Sequence, residues 1–170
     1  MLVKLGQTAK ERDLVDLLLE CHQRIRDFVR LAEAVGRRDD AADAEVIDAC
    51  LRCERYFTEA LPLHVRDEED SLLPRLRGHE PRIDEALVAM HRQHDEHEAL
   101  LCSLLGALRA VRESPLDRPR RVRLASAAEA LALEFEAHLR LEENEIFPLV
   151  RGRLSAREQA EILNELRARR

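Results

Sequence analysis

One eleven-residue segment occurs twice in this chain. HVRDEEDSLLP (64–74) and HLRLEENEIFP (138–148) share His, Arg, Glu, Glu and Pro at a constant offset of 74 residues. The identities fall on the ionisable and helix-ending positions, so the repeat constrains chemistry as well as shape. At about 100° per residue, a His and the Glu four positions later lie about 40° apart, one turn apart on one helical face. A chain carrying this pair twice reads as a helix pair used twice.

The rest of the sequence agrees with helix. Apolar residues recur at helical spacing, and the breakers divide the chain into four long segments and a short fifth. The first spans about Thr8 to Val35, with Thr8 and Glu11 as a capping box and Gly36 as the stop. The second spans about Asp40 to Leu76, kinked at Pro62 and fraying at Pro74. A Gly78-His79-Glu80-Pro81 turn opens the third, which reaches about Arg112. Ser114 to Pro119 is a loop, the fourth segment covers about Arg121 to Val150, and Ser155 with Glu158 caps the last helix. The expected fold is all-α: an up-down-up-down four-helix bundle over about residues 8–150, with a short extra C-terminal helix at about 155–169. At 170 residues a single domain, 1–170, is expected.

Composition narrows the function classes. No apolar run is long enough to cross a membrane. A net charge of −6 argues against a nucleic-acid binder, which must neutralise phosphates. The start lacks the apolar stretch of a signal peptide, and four cysteines in no disulfide-like pattern fit a reducing compartment, so the expected location is the cytoplasm. Histidine remains to be explained: there are seven, in a chain with no Trp and one Tyr.

On helical wheels the histidines point inward. Leu124, Leu131 and Phe135 share a face with His138, and Cys50, Cys53, Phe57 and Leu61 share one with His64. His22 lies with Val15, Leu18 and Val29. His94 is central to a stripe of Leu87, Met90, Leu101, Leu105 and Leu108. Glu69 and Glu143 fall about 140° from their histidines and are expected to face solvent. His22, His64, Glu68, His94, His138 and Glu142 thus meet in the core from four helices. Unpartnered buried carboxylates cost several kcal/mol or neutralise themselves, a heavy burden for a domain whose whole stability is about 5–15 kcal/mol. A bound cation turns every one of these groups into a ligand.

Mixed imidazole and carboxylate donors suit iron, zinc, copper or nickel better than calcium or magnesium. Six residues are too many for one tetrahedral zinc. Four imidazoles and two carboxylates bridging a pair of metals leave coordination positions open for a small ligand, and iron fits best.

A first-helix His22, an HxxxE at His64/Glu68, His94 on the third helix and a second HxxxE at His138/Glu142, each trailing into EE and Pro, resemble the hemerythrin-like (HHE cation-binding) family. The likeness covers segments one to four. It implies a four-helix bundle with a non-haem di-iron centre, two iron ions joined by an oxo or hydroxo bridge. It also implies binding or sensing of oxygen, nitric oxide or reactive oxygen species, or iron handling. Partners are then a small diatomic ligand or peroxide. The alternatives are a di-iron peroxidase or nitric-oxide-reductase-type enzyme, or a metal-poor helical interaction module. Oxygen-carrying hemerythrins place a second His one turn after the third-helix His. Here Glu98 stands there and His97 is one residue early, so both are further ligand candidates. The set of four His and two Glu looks more like the bacterial di-iron repair and sensor proteins.

Smaller features have simpler expectations. Cys50 and Cys53 are read as buried structural thiols. Glu134 and Glu145 either bond to ligating imidazoles from outside or stand at the rim as carboxylates in water. His91 is placed at the rim, His79 in a solvated turn, and Tyr56 near the site.

Overall fold

The computed structural model describes residues 12–38, 40–78 and 81–170, and of Asp95 the backbone only. Among these residues the secondary structure is helical, with no strand. Helix α1 (Leu14–Arg37) starts at a capping box made by Asp13 and Asp16, whose side chains bond to each other's backbone N–H. The Thr8–Glu11 cap read from sequence lies outside the described residues. Gly36 also has a different role from the stop assigned to it. It is inside α1, and a Cβ there would meet the backbone N of Ala125 at 2.5 Å, so glycine is what lets α1 close on its neighbour.

The second rod is α2 (Asp43–Arg55), α3 (Leu61–Arg66) and α4 (Leu73–Leu76), joined by π-helical turns at Tyr56–Ala60 and Asp67–Leu72. Helix α5 (Pro81–Glu113) forms the third. The fourth is α6 (Arg118–Leu141) and α7 (Phe147–Arg153), joined by a π turn at Glu142–Ile146, and α8 (Ala156–Ala168) follows a Ser155–Glu158 capping box. Helix α6 begins earlier than the sequence reading has it, because Asp117 caps it and Pro119 fits its first turn.

All three π turns have one cause. Each ends two residues before a proline: Pro62, Pro74 or Pro148. Proline has no N–H and its ring clashes with the carbonyl four residues back, so the α-helical ladder cannot continue there. The helix widens instead. The residue before each proline donates five residues back: Leu61 to Tyr56, Leu73 to Glu68 and Phe147 to Glu142. The rod continues through Pro74 and ends at Leu76, the bound read from the sequence.

The buried apolar residues form two clusters. One contains Ile25, Val29, Phe57, Leu61, Leu104, Leu108, Leu131 and Phe135; the other contains Leu14, Leu18, Leu72, Leu76, Leu87, Met90, Ile146 and Val150. Helix α1 passes from the second cluster to the first and the next rod from the first to the second; the sense alternates again for α5 and α6–α7. Between the clusters each rod crosses one polar layer, at His22, at His64 and Glu68, at His94, and at His138 and Glu142. Helix α1 packs chiefly on α6, and α5 on α6 and α2.

Candidate metal centre

Four imidazoles and two carboxylates converge in this layer. Nε2 of His22 is 3.0 Å from Glu142 and 3.9 Å from Glu68. Nε2 of His64 is 3.1 Å from Glu68, and Nε2 of His138 is 3.2 Å from Glu142. Nε2 of His94 is 3.6 Å from Glu68 and 3.1 Å from Nε2 of His138. Among the described residues, two groups of donors could hold a metal ion. One is His22, His64, Glu68 and Glu142; the other is His94, His138, Glu68 and Glu142, with the donor atoms of each group within 4.8 Å of one another. The two carboxylates belong to both. Each half of the internal repeat supplies the two histidines of one group and one of the shared glutamates.

These atoms lack ordinary partners. Nε2 of His22, both nitrogens of His64 and both oxygens of Glu68 and Glu142 are buried without a hydrogen bond of acceptable geometry. Buried polar groups are satisfied in native proteins almost without exception, so a cluster of orphaned donors facing one point fits a cation. Protons otherwise have to neutralise the layer. Burial lowers the basicity of His22, but Glu142 and Glu68 outweigh it and push the pKa up to about 10. Burial, then the neighbouring His22, pushes His64 down to about 3. Burial and the charge of Glu142 raise Glu68 above the carboxylate range. Glu142 is lowered, because His138 and His22 overcome the upward push of burial.

The outer nitrogens are held from behind. Glu143 Oε1 is 2.9 Å from Nδ1 of His22 and accepts from Arg26 at 2.8 Å. Glu69 Oε1 is 2.9 Å from Nδ1 of both His94 and His91. Gln93 Oε1 is 3.0 Å from Nδ1 of His138. Carboxylates and amides in this position fix the tautomer of a ligating imidazole and raise its basicity. Glu69 and Glu143 therefore do not simply face solvent. Both lie in π turns, which advance fewer degrees per residue than an α turn, so each glutamate swings towards the neighbouring rod.

A family profile described as "Hemerythrin HHE cation binding domain" matches residues 13–168. The chain belongs to this hemerythrin family. No match was found among curated proteins. The hemerythrin HHE domain is a cation-binding one, and the two buried His/Glu groups are where this member could hold its metal.

Other candidates in this hemerythrin domain fall outside both groups. Glu98 is exposed on α5. His97 is buried beside the site, its ring 5.1 Å from that of His138. Glu134 is exposed and Glu145 pairs with Arg82 at 3.2 Å, so neither supports an imidazole. His91 is exposed at the rim, and His79 lies outside the described residues. Tyr56 stacks on Phe28 at 4.0 Å inside an apolar cluster, where burial raises its pKa. Cys50 and Cys53 share that cluster, and burial pushes their thiols up to about 11 and about 12, which keeps them protonated. Gln93 and Asp67 were not foreseen. A neutral amide carries no charge signal, and Asp67 sits in the acidic run DEED, whose members look alike in sequence.

A cavity of about 40 Å³ adjoins the layer, lined by His64, His94, His97 and His138 with Ile25, Leu61, Val65, Leu101, Phe135 and Leu139. A water needs roughly 10–15 Å³ of such space, so the cavity has room for a few atoms. No described helix is long and apolar enough to cross a membrane.

Proposed function

We propose that this hemerythrin-family chain is a non-haem di-iron protein that binds or senses a small ligand such as dioxygen, nitric oxide or peroxide. In this reading His22 and His64 would hold one iron and His94 and His138 the other, with Glu68 and Glu142 available to both. The observation that carries it is the sharing of Glu68 and Glu142 by both donor groups. When bound, iron in such a set supplies a redox-active centre with positions open to a small exogenous ligand.

The chain's own residues do the rest. Glu143, Glu69 and Gln93 keep the Nδ1 protons of His22, His94 and His138 on the outer side, which leaves each Nε2 lone pair facing inward. The apolar walls of the cavity exclude bulk water and limit the ligand to a few atoms. This size limit favours binding or sensing, or turnover of peroxide or nitric oxide, over oxygenation of an organic molecule.

Metal analysis of protein purified without added metal tests the proposal. About two irons per chain, with ligand-to-iron absorption in the near ultraviolet, is the expected result for a six-residue bridged pair. One ion per chain, another metal, or none would overturn it. Glu68→Ala should empty both positions together, whereas loss of one ion alone would show that Glu68 is not shared.

A further inference from the structure

His97 belongs to neither donor group, yet it is buried to the same degree as the residues that do. It is 4% exposed, packed edge-on against Phe135 at 4.8 Å and His138 at 5.1 Å, and it lines the small cavity. No hydrogen bond ties either ring nitrogen to the described residues, and neither nitrogen is among the fully buried atoms left without a partner, so each keeps some access to the space beside it. A neutral imidazole carries one N–H donor and one acceptor, so His97 brings an untied hydrogen-bonding group to the cavity. The other walls beyond the candidate ligands are aliphatic or aromatic, so His97 is the one further polar side chain among the lining residues.

We propose that His97 is the hydrogen-bonding residue of the small-ligand pocket, donating to a diatomic or triatomic acceptor seated between the imidazoles and the apolar walls. The inference rests on the di-iron reading and adds to it a residue that chooses the ligand. Size alone admits any diatomic molecule. A hydrogen-bond donor among largely apolar walls favours ligands that carry or develop negative charge, because a hydrogen bond to a charged acceptor is stronger than one to a neutral acceptor.

The test uses the metal-loaded protein, azide as probe, and the variants His97→Leu and His97→Gln. Iron content should stay at the parent value in both. The azide dissociation constant of the oxidised protein should rise about tenfold in His97→Leu and return to within about threefold of the parent in His97→Gln, which restores a donor. Thermal unfolding of the metal-free proteins gives a readout that does not depend on iron. There His97→Leu should melt close to the parent temperature, since one packed side chain has been replaced by another of similar volume.

Loss of about one iron per chain in His97→Leu would make His97 a ligand and overturn the proposal. So would unchanged azide affinity, or a metal-free variant that melts well below the parent, which would mark His97 as packing. Absence of iron from the parent protein overturns the di-iron reading itself and is seen before any variant is made.

Discussion

Glu143 Oε1 lies 2.9 Å from Nδ1 of His22, a residue 121 positions earlier in the chain. Its counterpart in the repeat, Glu69, reaches the third-rod His94 at the same distance. The pairing is crossed: the outer glutamate of each half orients the lone histidine of the other half. The two halves therefore cannot separate without releasing an imidazole from each donor group.

This crossing predicts which ion each variant loses. Glu143→Ala should weaken the position formed by His22 and His64, and Glu69→Ala the one formed by His94 and His138, each by roughly 10–100-fold in affinity. Stepwise chelation followed by metal analysis checks this. Loss of both ions to the same extent in either variant would contradict the crossed arrangement.

Metal binding should strengthen as pH rises through neutrality. In the metal-free protein His22 holds its proton up to about 10, and Glu68 also titrates high, so a metal has to displace protons at neutral pH. Competition with a chromophoric chelator between about pH 6 and about pH 8 should show the apparent affinity climbing with pH. Folding stability of the metal-free protein has the opposite slope over the alkaline range. A folded pKa raised above the unfolded value contributes stability that is complete below the unfolded pKa and lost as pH rises through the folded one. Both raised groups act in this sense, so the metal-free protein should lose stability towards pH 10, as followed by chemical denaturation.

Gly36→Ala should destabilise the fold although it improves helix propensity. The propensity gain is about 1 kcal/mol. Against it stands a Cβ that would meet Ala125 N at 2.5 Å and Arg121 O at 2.8 Å, both backbone atoms that cannot rotate away. Overpacking of this kind typically costs about 1–3 kcal/mol, so a net loss at equilibrium denaturation is expected. A net gain would mean that α1 and α6 can move apart freely.

The end of α8 is tied to the turn that carries Glu68. Asp67 is 1% exposed and accepts from Arg169 at 3.0 Å and Arg170 at 2.6 Å, while Ser71 and Arg75 bond Glu165 at 2.5 and 2.6 Å. Replacing both Arg169 and Arg170 with Ala leaves a buried carboxylate unpaired, which should cost about 3 kcal/mol. Asp67→Asn combined with these changes should cost less than the separate losses added together. A double-mutant cycle by denaturation measures the coupling, and iron retention in the same variants should fall, because Asp67 and Glu68 are consecutive in the π turn.

Much of this was legible in the chain. The six inward residues could be placed from wheels because an α helix fixes the direction of each side chain, and a carboxylate one turn from a His stays on its face. The parts that were missed have local causes. Pro62, Pro74 and Pro148 were visible as breakers, but their consequence, a wide turn that redirects Glu69 and Glu143, depends on the rod continuing past the proline. That continuation is enforced by packing of Leu76 and Val150 in the second apolar cluster. A proline ten residues after each motif histidine was the available signal.

The sequence by itself determined the helical class, the duplicated motif and the set of residues that turn inward, since these follow from periodicities of a few residues. Only the tertiary structure decided which two histidines join Glu68 and Glu142 in each donor group, that each outer glutamate serves the opposite half, and that His97 lines the small cavity. Those relationships join side chains some 20 to more than 100 positions apart. No local pattern encodes such distances; the register in which the four rods pack sets them.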